Sequence, residues 1–207
     1  MIKIQNTNLG FFHIFTKNNS MKKWCVLLAL VMSFSIQAQE KSTTQKFWET
    51  LQKQCGKSFE GQIVEAPAND EFRGKKLIMH VKSCGKNKIR IPFFVGEDKS
   101  RTWVLTNKNG KITLKHDHRQ KNGKPDKVTQ YGGTSTNGGS ESMQFFPADE
   151  FTSELIPYAS MNVWWITVDD KAFTYNLRRI GTDRVFSVSF DLSEVVDNPE
   201  SPWGWKN

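Results

Sequence analysis

The sequence predicts a mainly β protein, an antiparallel up-and-down barrel of about ten strands with a short N-terminal helix. Three observations predict it. Beyond Gly56, apolar residues recur with a period of two. The gaps between these runs carry turn residues. Near the mature N-terminus, only one segment has convincing helical spacing.

That segment is Ser42 to Gln54. Phe47, Trp48 and Leu51 fall on one helical face, and Gly56 stops the helix. The alternating runs follow. Leu77, Met79 and Val81 share a face, as do Ile89, Ile91, Phe93 and Val95. Trp103 and Leu105 come next, then Ile112 and Leu114. Trp164, Ile166 and Val168 precede Phe173, Tyr175 and Leu177, and Phe186, Val188 and Phe190 end the series. Between them stand Gly85-Lys86-Asn87, Gly96-Glu97-Asp98, Asn109-Gly110, Asn122-Gly123, Asp169-Asp170 and Gly181-Thr182-Asp183. Asn-Gly tolerates the positive φ that tight hairpins require.

Most connections are therefore hairpins. Sequential antiparallel strands must leave edges or close, and an up-and-down barrel removes the edges. A sandwich is the alternative. The helix is expected to plug one barrel end. The meander is interrupted at Pro147 to Ser160, where "PADEFTSEL" suits a short helix behind a proline and two acids. It lies either across a barrel mouth or on the surface as a crossover. "STNGGS" (135–140) lacks the order of a phosphate-binding loop and reads as a hairpin tip. The tail "SPWGW" is expected to pack Trp203 and Trp205 onto the barrel.

The chain divides into three parts. Residues 1–20 read as an upstream extension. Residues 21–38 read as a signal peptide: Met21-Lys22-Lys23, an apolar run from Trp24 to Ile36, then a small-residue cleavage site at Gln37-Ala38-Gln39. The run is shorter than the roughly 20 residues of a membrane span. Residues 39–207 form one barrel domain. Cleavage removes Lys3, Lys17, Lys22 and Lys23 and no acids, so the net charge falls from +8 to +4. A charge this small and dispersed argues against nucleic acid as a partner. Cleavage also removes Cys25, leaving Cys55 and Cys84 to form one disulfide in an oxidising compartment.

The helix, followed by "CGKSFEG" (55–61) and a meander, resembles the calycin superfamily of lipocalins and fatty-acid-binding proteins. Those barrels begin with a helical element and a Gly-x-Trp strand. Here Phe59 stands in the tryptophan's place, with one residue more after Gly56. The blocks "IPFFVGEDKSRTW", "KHDHR", "YGG" and "FPADE" are similar to a family of uncharacterised secreted bacterial proteins. Neither resemblance supplies a catalytic residue.

Two sets of residues are candidates for a site. Ile112, Leu114, His116 and His118 share parity, which aims both imidazoles into the lumen. Two histidines at i and i+2 can chelate zinc, copper or iron if a third ligand joins them. Otherwise they line the polar end of the lumen and bond to neighbours. His80 opposes the parity of Leu77, Met79 and Val81. In "FTYNLRR", Phe173, Tyr175, Leu177 and Arg179 share a face, and an inward arginine with a tyrosine can hold a carboxylate. The residue order of fatty-acid-binding proteins differs from this one. Asn122-Gly123 is a hairpin turn and not a calcium loop, because the oxygen spacing is wrong. G-x-S-x-G and H-E-x-x-H are both absent.

The leading expectation is a non-enzymatic exported barrel binding a small apolar or amphipathic ligand in its lumen. His116, His118, Tyr175 and Arg179 supply the polar contacts, and the sequence leaves the cofactor open. A metal- or haem-binding barrel using His116 or His118 is the second expectation. A structural or interaction protein with a filled core is the third.

Overall fold

The computed structural model describes residues 40–205. The extension and signal peptide expected over residues 1–38 lie outside these residues. Helix α1 (Thr43–Gln52) starts where the Ser42 hydroxyl accepts from the Gln45 amide at 3.2 Å. Phe47, Trp48 and Leu51 form its buried face. Gly56, at φ 82°, reverses the chain after it.

Eleven antiparallel strands follow: β1 (Ser58–Glu65), β2 (Leu77–His80), β3 (Ser83–Cys84), β4 (Lys88–Val95), β5 (Asp98–Lys108), β6 (Lys111–His118), β7 (Tyr131–Thr134), β8 (Met143–Pro147), β9 (Asn162–Val168), β10 (Ala172–Arg179) and β11 (Val185–Val196). The two-residue β3 pairs only with β4. The other ten form a nearly closed up-and-down barrel in which β1 pairs with both β2 and β11. Strands from the two ends of the meander are thus joined. The incomplete seam lies mid-chain, between β7 and β8.

The seam is short and tight. A Cβ on Gly133 would lie 1.7 Å from the Pro147 carbonyl oxygen, and one on Gly132 would lie 2.0 Å from the Leu114 oxygen. Only glycine allows this approach. Helix α2 (Glu150–Leu155) then takes the place of further strand pairing. The Gly132 N–H donates to the Thr152 hydroxyl at 2.7 Å, and the Asp149 N–H donates to the Gly132 oxygen at 3.0 Å. The short helix expected from "PADEFTSEL" therefore seals the seam, and the 3-10 turn after it (Pro157–Ala159) reaches the barrel mouth.

Helix α1 plugs the opposite end. Its Thr43 and Thr44 hydroxyls donate to the Gly138 oxygen at 3.0 and 3.1 Å. The Gln52 amide donates to the Gly85 oxygen at 3.3 Å, and Lys53 pairs with Asp170 at 3.2 Å. Gly85, Gly138 and Asp170 sit on connections β3–β4, β7–β8 and β9–β10, all at this end. The Cys55–Cys84 disulfide, with Cα atoms 6.1 Å apart, ties the chain after α1 to β3. The tail packs against the wall: the Trp203 N–H donates to the Lys99 oxygen at 3.1 Å, and Trp205 lies under Lys82 and Arg90.

Strand β2 departs from simple alternation. All four of its residues are buried, His80 included, so both faces of this strand are covered. The parity of His80 separates it from the lumen, as expected, yet does not expose it. Among the described residues, no helix is long and apolar enough to cross a membrane.

Candidate ligand cavity

The site is built from inward residues between the middle of the strands and the mouth. Trp103 on β5 and Tyr175 on β10 come from opposite sides of the barrel, with four strands between them either way round. Their rings stack at 4.4 Å and 17° across the lumen. Phe93 stacks on Trp103 at 4.7 Å and 15°. Phe173 and Phe190 lie against the same indole at 6.0 and 6.4 Å. This layer divides the interior. On the α1 side, Phe47, Trp48, Phe59, Phe173 and Phe190 are at most 1% exposed. Towards the mouth lies a cavity of about 620 Å³.

His116, His118, Tyr175 and Arg179 all line that cavity. His116 is buried, and both its ring nitrogens are occupied. Nδ1 lies 3.0 Å from the Tyr131 carbonyl oxygen, which can only accept, so Nδ1 carries the proton. Nε2 is then the lone-pair nitrogen and accepts from the Tyr175 hydroxyl at 2.7 Å. Tyr131 stacks on His116 at 4.5 Å because β6 and β7 place the two directly opposite each other. The Tyr131 hydroxyl meets His118 Nε2 at 3.1 Å.

Burial sets the protonation of this group. Desolvation pushes His116 down to about 3, against a weaker opposing effect from its bond to Tyr131. Desolvation and then the Arg101 guanidinium push His118 down to about 4. Both imidazoles are neutral at pH 7. Burial raises the phenols, Tyr131 to about 12 and Tyr175 well above its usual value.

The two histidines thus face the lumen, as strand parity predicts, but their nitrogens meet tyrosines. Among the described residues, no group of three His, Cys, Asp or Glu side chains is arranged to hold a metal ion. Nothing in this geometry adds the third ligand that the metal reading requires.

Arg179 is placed differently. Its Nε donates to Asn162 Oδ1 at 3.0 Å, and its guanidinium lies 4.9 Å from the Tyr158 ring centroid. Among the described residues it has no carboxylate partner. The other two arginines of the cavity do. Arg101 pairs with Asp98 and, at 3.4 Å, with Glu71, while Arg184 pairs with Asp70 at 3.5 Å.

Asp70 and Glu71 belong to a strap between β1 and β2 that sequence reasoning missed. Arg73 folds the strap on itself by bonding to the Ala66 and Pro67 oxygens. The strap carries Phe72 to the cavity, where its ring meets Phe93 at 5.9 Å and Phe186 at 5.4 Å, edge-on to both. No periodicity marks such a loop. Its one signal is a phenylalanine between two acids and an arginine in a polar stretch. Tyr131 was legible only as part of "YGG", where paired glycines in a strand mark a close approach.

Fold and site together define a nearly closed antiparallel barrel with a plugged end and an aromatic cavity at the other. No family model matches the chain, and the searches found no similar curated protein or solved structure. The barrel is consistent with the calycin resemblance; no family match supports the link to secreted bacterial proteins.

Proposed function

We propose that the protein is an exported, non-enzymatic barrel that binds a small, largely apolar ligand in the mouth of its lumen. One observation carries this reading: a cavity of about 620 Å³ has an arginine on its wall, Arg179, with no carboxylate partner among the described residues. Apolar walls with a few convergent polar groups are the usual make-up of small-molecule sites, and this volume lies in their range. Arg179 takes the polar or acidic end of the ligand by charge-assisted hydrogen bonds. Tyr175, His116 and His118 form the polar side of the wall. Export is supported by the disulfide, which persists in oxidising compartments.

The test is native mass spectrometry of the exported protein, with binding assays on a panel of small amphiphiles. The expected result is a bound compound or a panel member that binds. Leu177→Trp, which narrows the cavity, should weaken that binding. A protein that carries nothing and binds nothing sinks the proposal. That outcome favours a structural or interaction protein, a reading supported by the packed half of the barrel on the α1 side.

A further inference from the structure

We infer that the ligand of this cavity is a compact, planar aromatic acid and not a long alkyl chain. The inference rests on the lumen-binding reading and names the ligand class. Two observations carry it.

The first is the shape of the space. The Trp103–Tyr175 stack crosses the lumen and floors the cavity, with Phe173 and Phe190 packed beneath it. An extended chain of lipid length needs a lumen that continues along the barrel axis. Here that path ends at the floor. What remains is a cavity of about 620 Å³ on the mouth side of the floor, with Phe72, Phe93, Tyr131, Tyr158, Trp164 and Phe186 in its wall beside charged residues.

The second observation is the strap. Asp70-Glu71-Phe72 is the chain's own segment, held at the mouth from outside the barrel wall. Its ring sits edge-on to Phe93 and Phe186, a geometry favoured by the ring quadrupoles. Its two carboxylates pair with Arg101 and Arg184. The mouth therefore already holds one aromatic ring with acids beside it. Arg179, stacked on Tyr158, offers the same combination of cation and ring to a second such group. A planar ring bearing one acidic group matches both features of that remaining position.

The experiment compares 2-naphthoic acid with decanoic acid, which have similar carbon counts and the same head group. Binding to the exported protein is measured by titration calorimetry. Naphthoate is expected to bind at least threefold more tightly. Phe186→Leu keeps apolar bulk but removes a ring. It should weaken naphthoate by about three- to tenfold, the range of a single aromatic pair, and weaken decanoate less. A smaller preference, a preference for decanoate, or an equal loss of both ligands in the variant overturns the aromatic class and leaves lumen binding standing. Binding of neither ligand overturns the ligand class here. If the amphiphile panel and native mass spectra are also empty, lumen binding falls with it.

Discussion

The Tyr175 hydroxyl donates to His116 Nε2 at 2.7 Å from the opposite wall of the barrel. The bond crosses a lumen that strand pairing cannot bridge, because β6 and β10 are not neighbours. Its partners are both buried, so loss of either leaves a polar atom without water.

Tyr175→Phe removes only the donor. His116 Nε2 then stays buried and unpaired, which costs about 1–3 kcal/mol. For a chain of this size the thermal midpoint should fall by roughly 3–10 °C. In a double-mutant cycle with His116→Phe, the two losses should be less than additive, since the second change removes a group already unpaired. Full additivity would show that the two side chains act independently.

The same burial makes stability depend on pH. His116 and His118 have folded-state values of about 3 and 4, below the usual 6.5 of the unfolded chain. Between these limits the unfolded state binds more protons, so stability rises with pH. It should be fully present above about pH 6.5 and drain away as pH falls towards 4. Against the opposing effect of burial, hydrogen bonds and the Arg101 and Lys115 cations hold the Asp98 and Asp149 carboxylates low, and these act in a lower window. Their contribution is lost as pH falls below about 4. Denaturant midpoints from pH 7 to 4.5 isolate the histidines. A flat profile there, or one equally steep in His116→Gln, contradicts the assignment.

Much of the barrel was legible because its strands obey one rule. Ile112 to Asp117 alternates in burial as parity dictates, and so does Asn162 to Val168. That rule also puts four candidate residues in one cavity, since His116, His118, Tyr175 and Arg179 share the inward parity of their strands. It placed His80 off the lumen and did not foretell that the outer face of β2 is covered as well. It was silent on the strap, on the stack between Trp103 and Tyr175, and on the pairing of each histidine with a tyrosine. Those contacts join residues far apart in sequence across a curved interior. Local pattern fixes a side chain's face, and closure of the barrel fixes its partner.

The disulfide is expected to matter for stability more than for the site. It closes a 29-residue loop, which the chain-entropy estimate values at roughly 3–4 kcal/mol. A Cys55→Ser/Cys84→Ser variant should lose about that much stability, read as a lower denaturant midpoint, and retain the wild-type ligand preference. Thiol titration of the denatured, unreduced protein should find no free pair. Two reactive thiols would refute the bond.

The seam leaves no room for added bulk. Gly133→Ala places a methyl on the Pro147 carbonyl, a contact that only backbone movement relieves. Overpacking of this kind costs typically about 1–3 kcal/mol. Gly85→Ala is the control, because its Cβ would meet nothing closer than 3.5 Å. Thr152→Val attacks the same seam without adding bulk. The Gly132 N–H loses its acceptor, and the Thr152 proton, which faces the Gly132 oxygen and Asp149 Oδ1 at 2.8 Å each, is gone. Thr152→Ser keeps the hydroxyl and should restore most of the loss. Amide exchange reads the seam directly: the Gly132 amide should exchange faster in Thr152→Val than in wild type, with β4–β5 amides unchanged. If Gly132 stays as protected as before, the threonine is not what joins β7 to α2.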